Sequence, residues 1–99
     1  MRIRIFDKLG AFAGNKDVAM TMREKAIIPA LEKGEEVIID FENVEGATQS
    51  FIHALISDPM RKFGIDVLDK MKFQSCKPNV AKIIRIVTSY MQAGLGDDE

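Results

Sequence analysis

The sequence has little of what several classes of protein require. Its single cysteine, Cys76, excludes a disulfide within the chain. No apolar run approaches the roughly 20 residues that a membrane-spanning helix needs, and the stretch MRIRIFDKLG lacks the apolar core of a signal peptide. We therefore expect a cytoplasmic protein that does not cross a membrane.

The chain also has almost no net charge. The chain carries 14 Lys and Arg against 15 Asp and Glu, which gives a formal net charge of -1 at pH 7. Proteins that bind nucleic acid or anionic membranes usually have a clear basic excess. Neither nucleic acid nor a membrane surface is therefore an expected partner.

Reactive and ligand-binding patterns are missing too. His53 is the only histidine, and no nucleophile or paired carboxylate stands at a spacing typical of a catalytic triad. Cys76 is expected to be a small apolar residue at a strand end rather than a reactive thiol. The acids of the second half match no metal-binding loop, and the glycines form no phosphate-binding fingerprint. We predict no catalytic residue, no cofactor and no metal site.

The chain does contain one strongly apolar strand. Its 99 residues, 46% of them hydrophobic, predict a single small domain with one core. The unbroken run Val37–Ile39, closed by Asp40 and Phe41, is typical of a strand that is covered on both faces. We place this strand in the middle of the sheet.

The elements before the central strand follow from simple patterns. Ile3, Ile5 and Leu9 alternate with basic residues and predict a half-buried edge strand, with a further strand segment around Lys8–Phe12 left open. Residues 11–14 are expected to form a small-residue loop. A helix is predicted from Asn15 to about Lys33, with a kink at Pro29.

The elements after the central strand complete an alternation of strands and helices. A helix is predicted from Thr48 to Ser57, with a further turn over Met60–Phe63, and a strand follows from Met71 towards Cys76. The last helix is predicted from Pro78 to Gly94. The expected fold is one small α/β domain over residues 1–94, with about four mostly parallel or mixed strands and helices packed on them; residues 95–99 are expected to be a disordered acidic tail.

The start of the second helix carries three polar side chains, Thr48, Gln49 and Ser50. Backbone N–H groups are unpaired at such a position and the helix dipole is positive, so a phosphate bound or attached there would be favoured. Thr and Ser are equally typical of helix caps. Capping is the favoured interpretation, and phosphorylation of Ser50 or Thr48 remains the alternative.

Charge is unevenly distributed along the chain. Residues 32–45 contain six acids against Lys33, whereas residues 60–85 contain seven basic residues against Asp66 and Asp69. This pattern predicts either an acidic and a basic surface that steer a protein partner or two ordinary solvated faces.

The central stretch resembles the STAS superfamily, which comprises sulfate transporter and anti-sigma factor antagonist domains, and more narrowly the small bacterial STAS-like domains of unknown function. In the antagonists an apolar strand ends in Asp plus Leu or Phe, a Val follows, and Met-Asp-Ser-Ser-Gly stands at a helix start. Asp40, Phe41 and Val44 match the strand end and the Val of this pattern. The five positions of Met-Asp-Ser-Ser-Gly are occupied here by Ala47, Thr48, Gln49, Ser50 and Phe51. The narrower likeness also includes Lys72-Phe73 before the last helix.

The resemblance implies a non-enzymatic regulatory or adaptor module. Its partner would be a protein, such as an anti-sigma factor or another ATPase with a histidine-kinase-like fold, and a homodimer is an open alternative. Gln49 stands where the antagonists have their usual phosphate acceptor, so Ser50 or Thr48 would have to replace it. The implied partner-binding residues are Asp40, Glu42, Asn43, Glu45, Thr48, Gln49 and Ser50.

Two other functions are considered. A small enzyme or ligand-binding domain could use the carboxyl ends of the strands, where open α/β sheets bind ligands. Nucleic-acid binding would require one shared face for the basic residues Lys70, Lys72, Lys77, Lys82 and Arg85.

Overall fold

A computed structural model describes residues 1–96 of the chain. The strands are β1 (Arg2–Arg4), β2 (Phe12–Ala13), β3 (Val37–Asp40), β4 (Gly46–Ala47) and β5 (Met71–Gln74). The helices are α1 (Ile5–Leu9), α2 (Lys16–Met22), α3 (Ile28–Glu32), α4 (Gln49–Phe63) and α5 (Pro78–Gly96). A π turn (Arg23–Ile27) joins α2 to α3, and a 3-10 helix (Ile65–Asp69) precedes β5.

The described strands form two parallel sheets. β3 lies between β1 and β5 in a three-stranded sheet, and β2 pairs with β4 in a two-stranded one. The predicted α/β class is therefore confirmed, as are the central position of β3 and the edge position of β1.

The two faces of the three-stranded sheet differ. Ile3, Ile39 and Phe73 are register neighbours on the face that packs in the core. On the other face the half-buried Ile38 lies between Arg2 and Lys72, which are both exposed. The prediction of a strand covered on both faces is therefore wrong at Ile38, whose neighbours on this face are exposed polar residues, although Asp40 at the end of the strand is buried.

The core lies between the sheet and the long helices. Val37, Ile39 and Phe41 are fully buried, which confirms that the central strand and its end are interior. They belong to one cluster with Phe51 from α4 and Val80 from α5. The segment between β3 and α4 is therefore fixed at both ends by buried aromatic rings.

The N-terminal segment differs from its prediction. Ile5 and Leu9 belong to the short helix α1 instead of extending β1. Their spacing of four residues fits a helix as well as a strand, so alternation alone could not decide between them. Phe12 and Ala13 form a strand where a loop was expected, because a strand of two residues depends on its partner β4 and has no pattern of its own.

Two helices, α3 and α4, contain a proline after their first residue and continue past it. The helix predicted from Asn15 to Lys33 is interrupted before Pro29 by the π turn, in which the Ile28 N–H bonds to the Arg23 carbonyl five residues earlier. The kink at Pro29 stays a prediction. The predicted end at Ser57 is wrong, because α4 continues through Pro59, and the predicted further turn over Met60–Phe63 is confirmed as part of the same helix. Pro59 is buried, and this burial offsets the backbone hydrogen bond that a proline cannot donate.

The last helix is longer than predicted. α5 continues beyond Gly94 to Gly96, so it includes the first residues of the segment expected to be a tail. The rest of that predicted tail, residues 97–99, lies outside the described residues. Among the helices of residues 1–96, none combines the length and the apolar character needed to cross a membrane.

We expect Ile39→Ala to lower the free energy of unfolding by about 2–5 kcal/mol, since it removes buried methyl groups and leaves a cavity. Ile39→Val should cost about 0.5–1.5 kcal/mol. Ile38→Ala is the matched control in the same strand, and its half-buried side chain should cost clearly less than Ile39→Ala. Urea unfolding measures all three; a loss below about 1 kcal/mol for Ile39→Ala would mean that β3 is peripheral.

Candidate functional site

The site begins with the buried carboxylate at the end of β3. Asp40 Oδ2 accepts a hydrogen bond from Arg2 Nη1 at 2.9 Å, and its Oδ1 accepts one from the Glu42 backbone N–H at 2.9 Å. Only 5% of Asp40 is exposed. One oxygen therefore fixes β3 to β1, and the other fixes the turn that follows.

The turn itself presents two polar side chains. The Val44 N–H donates to the Phe41 carbonyl at 3.0 Å, which closes the turn. Asn43 has φ 70°, a left-handed conformation that asparagine adopts more readily than most residues. Phe41 and Val44 are fully buried, whereas Glu42 and Asn43 are exposed. Burial on both sides of the turn thus holds these two side chains in solvent.

The next residues are held by backbone pairing and by α5. The Glu45 N–H donates to the Ala11 carbonyl at 2.7 Å, and Asn79 Nδ2 donates to the Glu45 carbonyl at 2.8 Å. The Glu45 side chain remains exposed, with Lys77 Nζ 3.8 Å from its Oε2. An exposed ion pair at this distance adds little stability, so the carboxylate can exchange partners.

Thr48 caps α4 as predicted. Its Oγ1 accepts a hydrogen bond from the Phe51 N–H at 3.1 Å. Ser50 Oγ lies 3.3 Å from that same oxygen and is exposed, as is Gln49. The capping role therefore belongs to Thr48, and the Ser50 hydroxyl is accessible.

A hollow of about 520 Å³ adjoins this helix start. We call it the α4 groove; its lining residues are Lys16, Gln49, Ser50, His53, Ala54, Ile86, Val87 and Tyr90. Ile86 and Tyr90 are 44% and 71% exposed, although both are large and largely apolar. The sequence reasoning did not single them out, because they lie about 40 residues from Ser50 in the chain and only the packing of α5 brings them close.

Phe12 extends the surface next to Thr48. A Cβ atom at Gly14 would come within 2.6 Å of Phe12 Cε2 and 3.4 Å of the Thr48 methyl group. Gly14 is therefore required for the ring to lie across the β2 end. The Phe12 ring is nevertheless 60% exposed, which leaves an aromatic face beside the helix cap.

Comparison with family models identifies the family of the chain. The model of a family described as STAS-like domain of unknown function (DUF4325) matches residues 22–81, which is more than half of the chain. The chain belongs to this STAS-like family. Neither the curated proteins nor the solved structures include a match.

The match covers part of the site. Residues 22–81 of this STAS-like domain include β3, the turn and the first turns of α4. They do not include Lys16, Ile86 or Tyr90, so the family model describes one wall of the α4 groove and not the walls from α2 and α5.

The seven residues predicted for partner binding lie together in this STAS-like domain, but they are not equally accessible. Glu42, Asn43, Glu45, Gln49 and Ser50 are exposed, Thr48 is partly buried, and Asp40 is buried. Asp40 can therefore act on a partner only by holding the turn. The role of the set in binding remains a prediction.

The predicted acidic and basic segments contact one another in several places. Lys62 Nζ lies 3.0 Å from Glu32 Oε2, and Lys77 approaches Glu45. The basic residues considered for nucleic acid are spread out: Lys72 is on the open sheet face, whereas Lys82 is on α5, which packs on the core side. They do not share one face.

Cys76 and His53 are the remaining titratable groups of interest. Burial raises the pKa of the Cys76 thiol, and the nearby Asp40 carboxylate raises that pKa further, so the thiol is mostly protonated at neutral pH. His53 is half-buried beside Ser50 in the α4 groove. Within residues 1–96 no three potential metal ligands come together.

We expect Thr48→Ala to destabilise the domain by about 0.5–2 kcal/mol, because the Phe51 N–H loses its acceptor. Thr48→Ser keeps the hydroxyl and should retain most of that stability. Ser50→Ala should cost no more than about 1 kcal/mol and less than Thr48→Ala. Urea unfolding measures the stability of the three variants. A larger loss of stability for Ser50→Ala than for Thr48→Ala would show that Thr48 is not the capping residue.

Proposed function

We propose that this STAS-like domain is a non-enzymatic regulatory or adaptor module in the cytoplasm. It binds a protein partner through residues 42–50, which we call the turn–helix edge. The partner class implied by the STAS resemblance is an ATPase with a histidine-kinase-like fold, such as an anti-sigma factor. This partner identity rests on resemblance alone.

The observation that carries the proposal is the alternation of burial along the turn–helix edge. Phe41, Val44 and Phe51 are fully buried, and the polar side chains between them are exposed except for the partly buried Thr48. The edge is therefore a rigid base with accessible polar groups, which lowers the conformational entropy lost when a partner binds. The exposed carboxylates of Glu42 and Glu45 provide charge for steering a partner with a basic surface.

Phosphorylation would act on the same edge. The Thr48 hydroxyl is engaged in the cap, which makes Ser50 the more available acceptor of the two. A phosphate adds about -1.5 to -2 charges, which the α4 N-terminus would stabilise and the nearby glutamates would repel. Such a group would change the edge electrostatically without unfolding it.

The first test locates the partner. A photo-crosslinking amino acid at Gln49 should capture one protein in the native cells, whereas the same group at Lys33, before the opposite end of β3, should not. The variant Glu42→Lys with Glu45→Lys should weaken binding of that protein at low salt, mainly through the association rate. Surface plasmon resonance measures the rates, and Glu35→Lys with Glu36→Lys is the control with the same change in charge.

If the variant with Glu42→Lys and Glu45→Lys binds the captured protein as fast as the wild type at low salt, the partner binds elsewhere. Circular dichroism of each variant establishes that the fold is retained. Equal crosslinking from Gln49 and Lys33 would likewise contradict the proposal, because it would show no preference for this edge.

The second test concerns Ser50. If Ser50 is a switch, Ser50→Asp should alter partner binding far more than Ser50→Ala, since only the former adds charge. If the domain is a constitutive binder, the two variants should bind alike. Intact-mass and fragment spectra of protein from its native cells show whether a phosphate is attached, and a phosphate on Ser50 or Thr48 would contradict constitutive binding.

A further inference from the structure

The α4 groove has an apolar side that the turn–helix edge does not explain. Ile86 and Tyr90 lie one helical turn apart on α5 and are both exposed, and the small side chain of Ala54 lines the same hollow. Large apolar side chains that border a hollow typically mark an interaction site. Its volume of about 520 Å³ is within the range of pockets that hold a small ligand, and it admits a few side chains of a partner.

The charges around the groove have one sign. Lys16 gives the lining a positive charge, and none of the lining residues carries a carboxylate. Lys82 is exposed one turn before Ile86 on α5. The neighbouring acid, Asp17, lines a different hollow, together with Lys8 and Lys25. The first turn of α4 adds the positive end of a helix dipole.

We propose that the α4 groove binds an amphipathic helix of the protein partner, which inserts one or two apolar side chains and carries acidic residues beside them. Helices bind grooves in this way through apolar residues at spacings of three and four. The inference rests on the proposed function, because it identifies the chemistry of the partner that contacts Gln49 and Ser50. The glutamates of the edge, together with Lys16 in the groove and Lys82 on α5, then select a partner with separate basic and acidic patches.

A second copy of the chain is a poorer occupant. The exposed apolar pair on α5 has the exposed cations Lys82 and Arg85 next to it. Two copies joined through this face would bring like charges together, which disfavours the dimer. An acidic helix binds the same face without that repulsion.

The test uses two fluorescent peptides with the same leucine pattern at positions i, i+3, i+4 and i+7. One has glutamate at the remaining positions, and the other has lysine. Fluorescence anisotropy with the full chain should show the glutamate peptide binding at least about tenfold more tightly, with a preference that shrinks as salt rises. Ile86→Ala and Tyr90→Ala should each weaken binding by about tenfold.

Matched controls separate the groove from a general surface effect. Ile65→Ala removes a side chain that is 41% exposed outside the groove and should leave binding unchanged. Lys16→Glu with Lys82→Glu should reverse the preference towards the lysine peptide. Lys8→Glu with Lys25→Glu makes the same change in charge at a different hollow and should not. When the glutamate peptide is added to the wild-type protein, the changes in backbone amide chemical shift in NMR spectra should concentrate at residues 49–54.

Equal binding of the two peptides, or binding that neither Ile86→Ala nor Tyr90→Ala weakens, would overturn the inference. A concentration-dependent dimer that Tyr90→Ala dissociates would overturn it too, because the occupant would be a second copy. If Tyr90→Ala leaves partner crosslinking from Gln49 intact, the proposed function stands and the groove is not used. Peptide binding with the expected selectivity, but with no protein crosslinked at Gln49, would support the groove chemistry and contradict the turn–helix edge.

Discussion

The surface of this domain depends on one buried carboxylate. Asp40 bonds to Arg2 of the neighbouring strand and to the backbone of the turn that follows its own strand. A carboxylate buried in this way is costly unless it is paired and hydrogen-bonded, and both conditions are met here. The sheet and the turn are consequently coupled through a single side chain, which gives the exposed residues after it a defined position.

From that anchor, two surfaces of different chemistry meet at the start of α4. The turn–helix edge is polar and acidic, with Glu42 and Glu45 in solvent, whereas the α4 groove has the exposed apolar side chains of α5 and one lysine, Lys16, in its lining. Gln49 and Ser50 belong to both surfaces. A change at either residue, including the attachment of a phosphate, would therefore affect both surfaces together.

The resemblance to anti-sigma factor antagonists and the family match apply most directly to the middle of the chain. They include β3, the capped start of α4 and the strand before α5. The chain contributes the other walls of the groove from outside the matched residues, through Lys16, Ile86 and Tyr90. The α4 groove of this chain therefore depends on segments that the family model does not describe.

The sequence by itself determined the features that depend on neighbouring residues: the apolar run of β3, the cap at Thr48 and the apolar stripe of α5. Tertiary structure decided the rest. The two-residue strands β2 and β4 exist only because they pair over more than 30 residues, and α4 continues past Pro59 because that residue is buried. The α4 groove likewise requires side chains from three separate helices, and no local pattern reveals which of them meet.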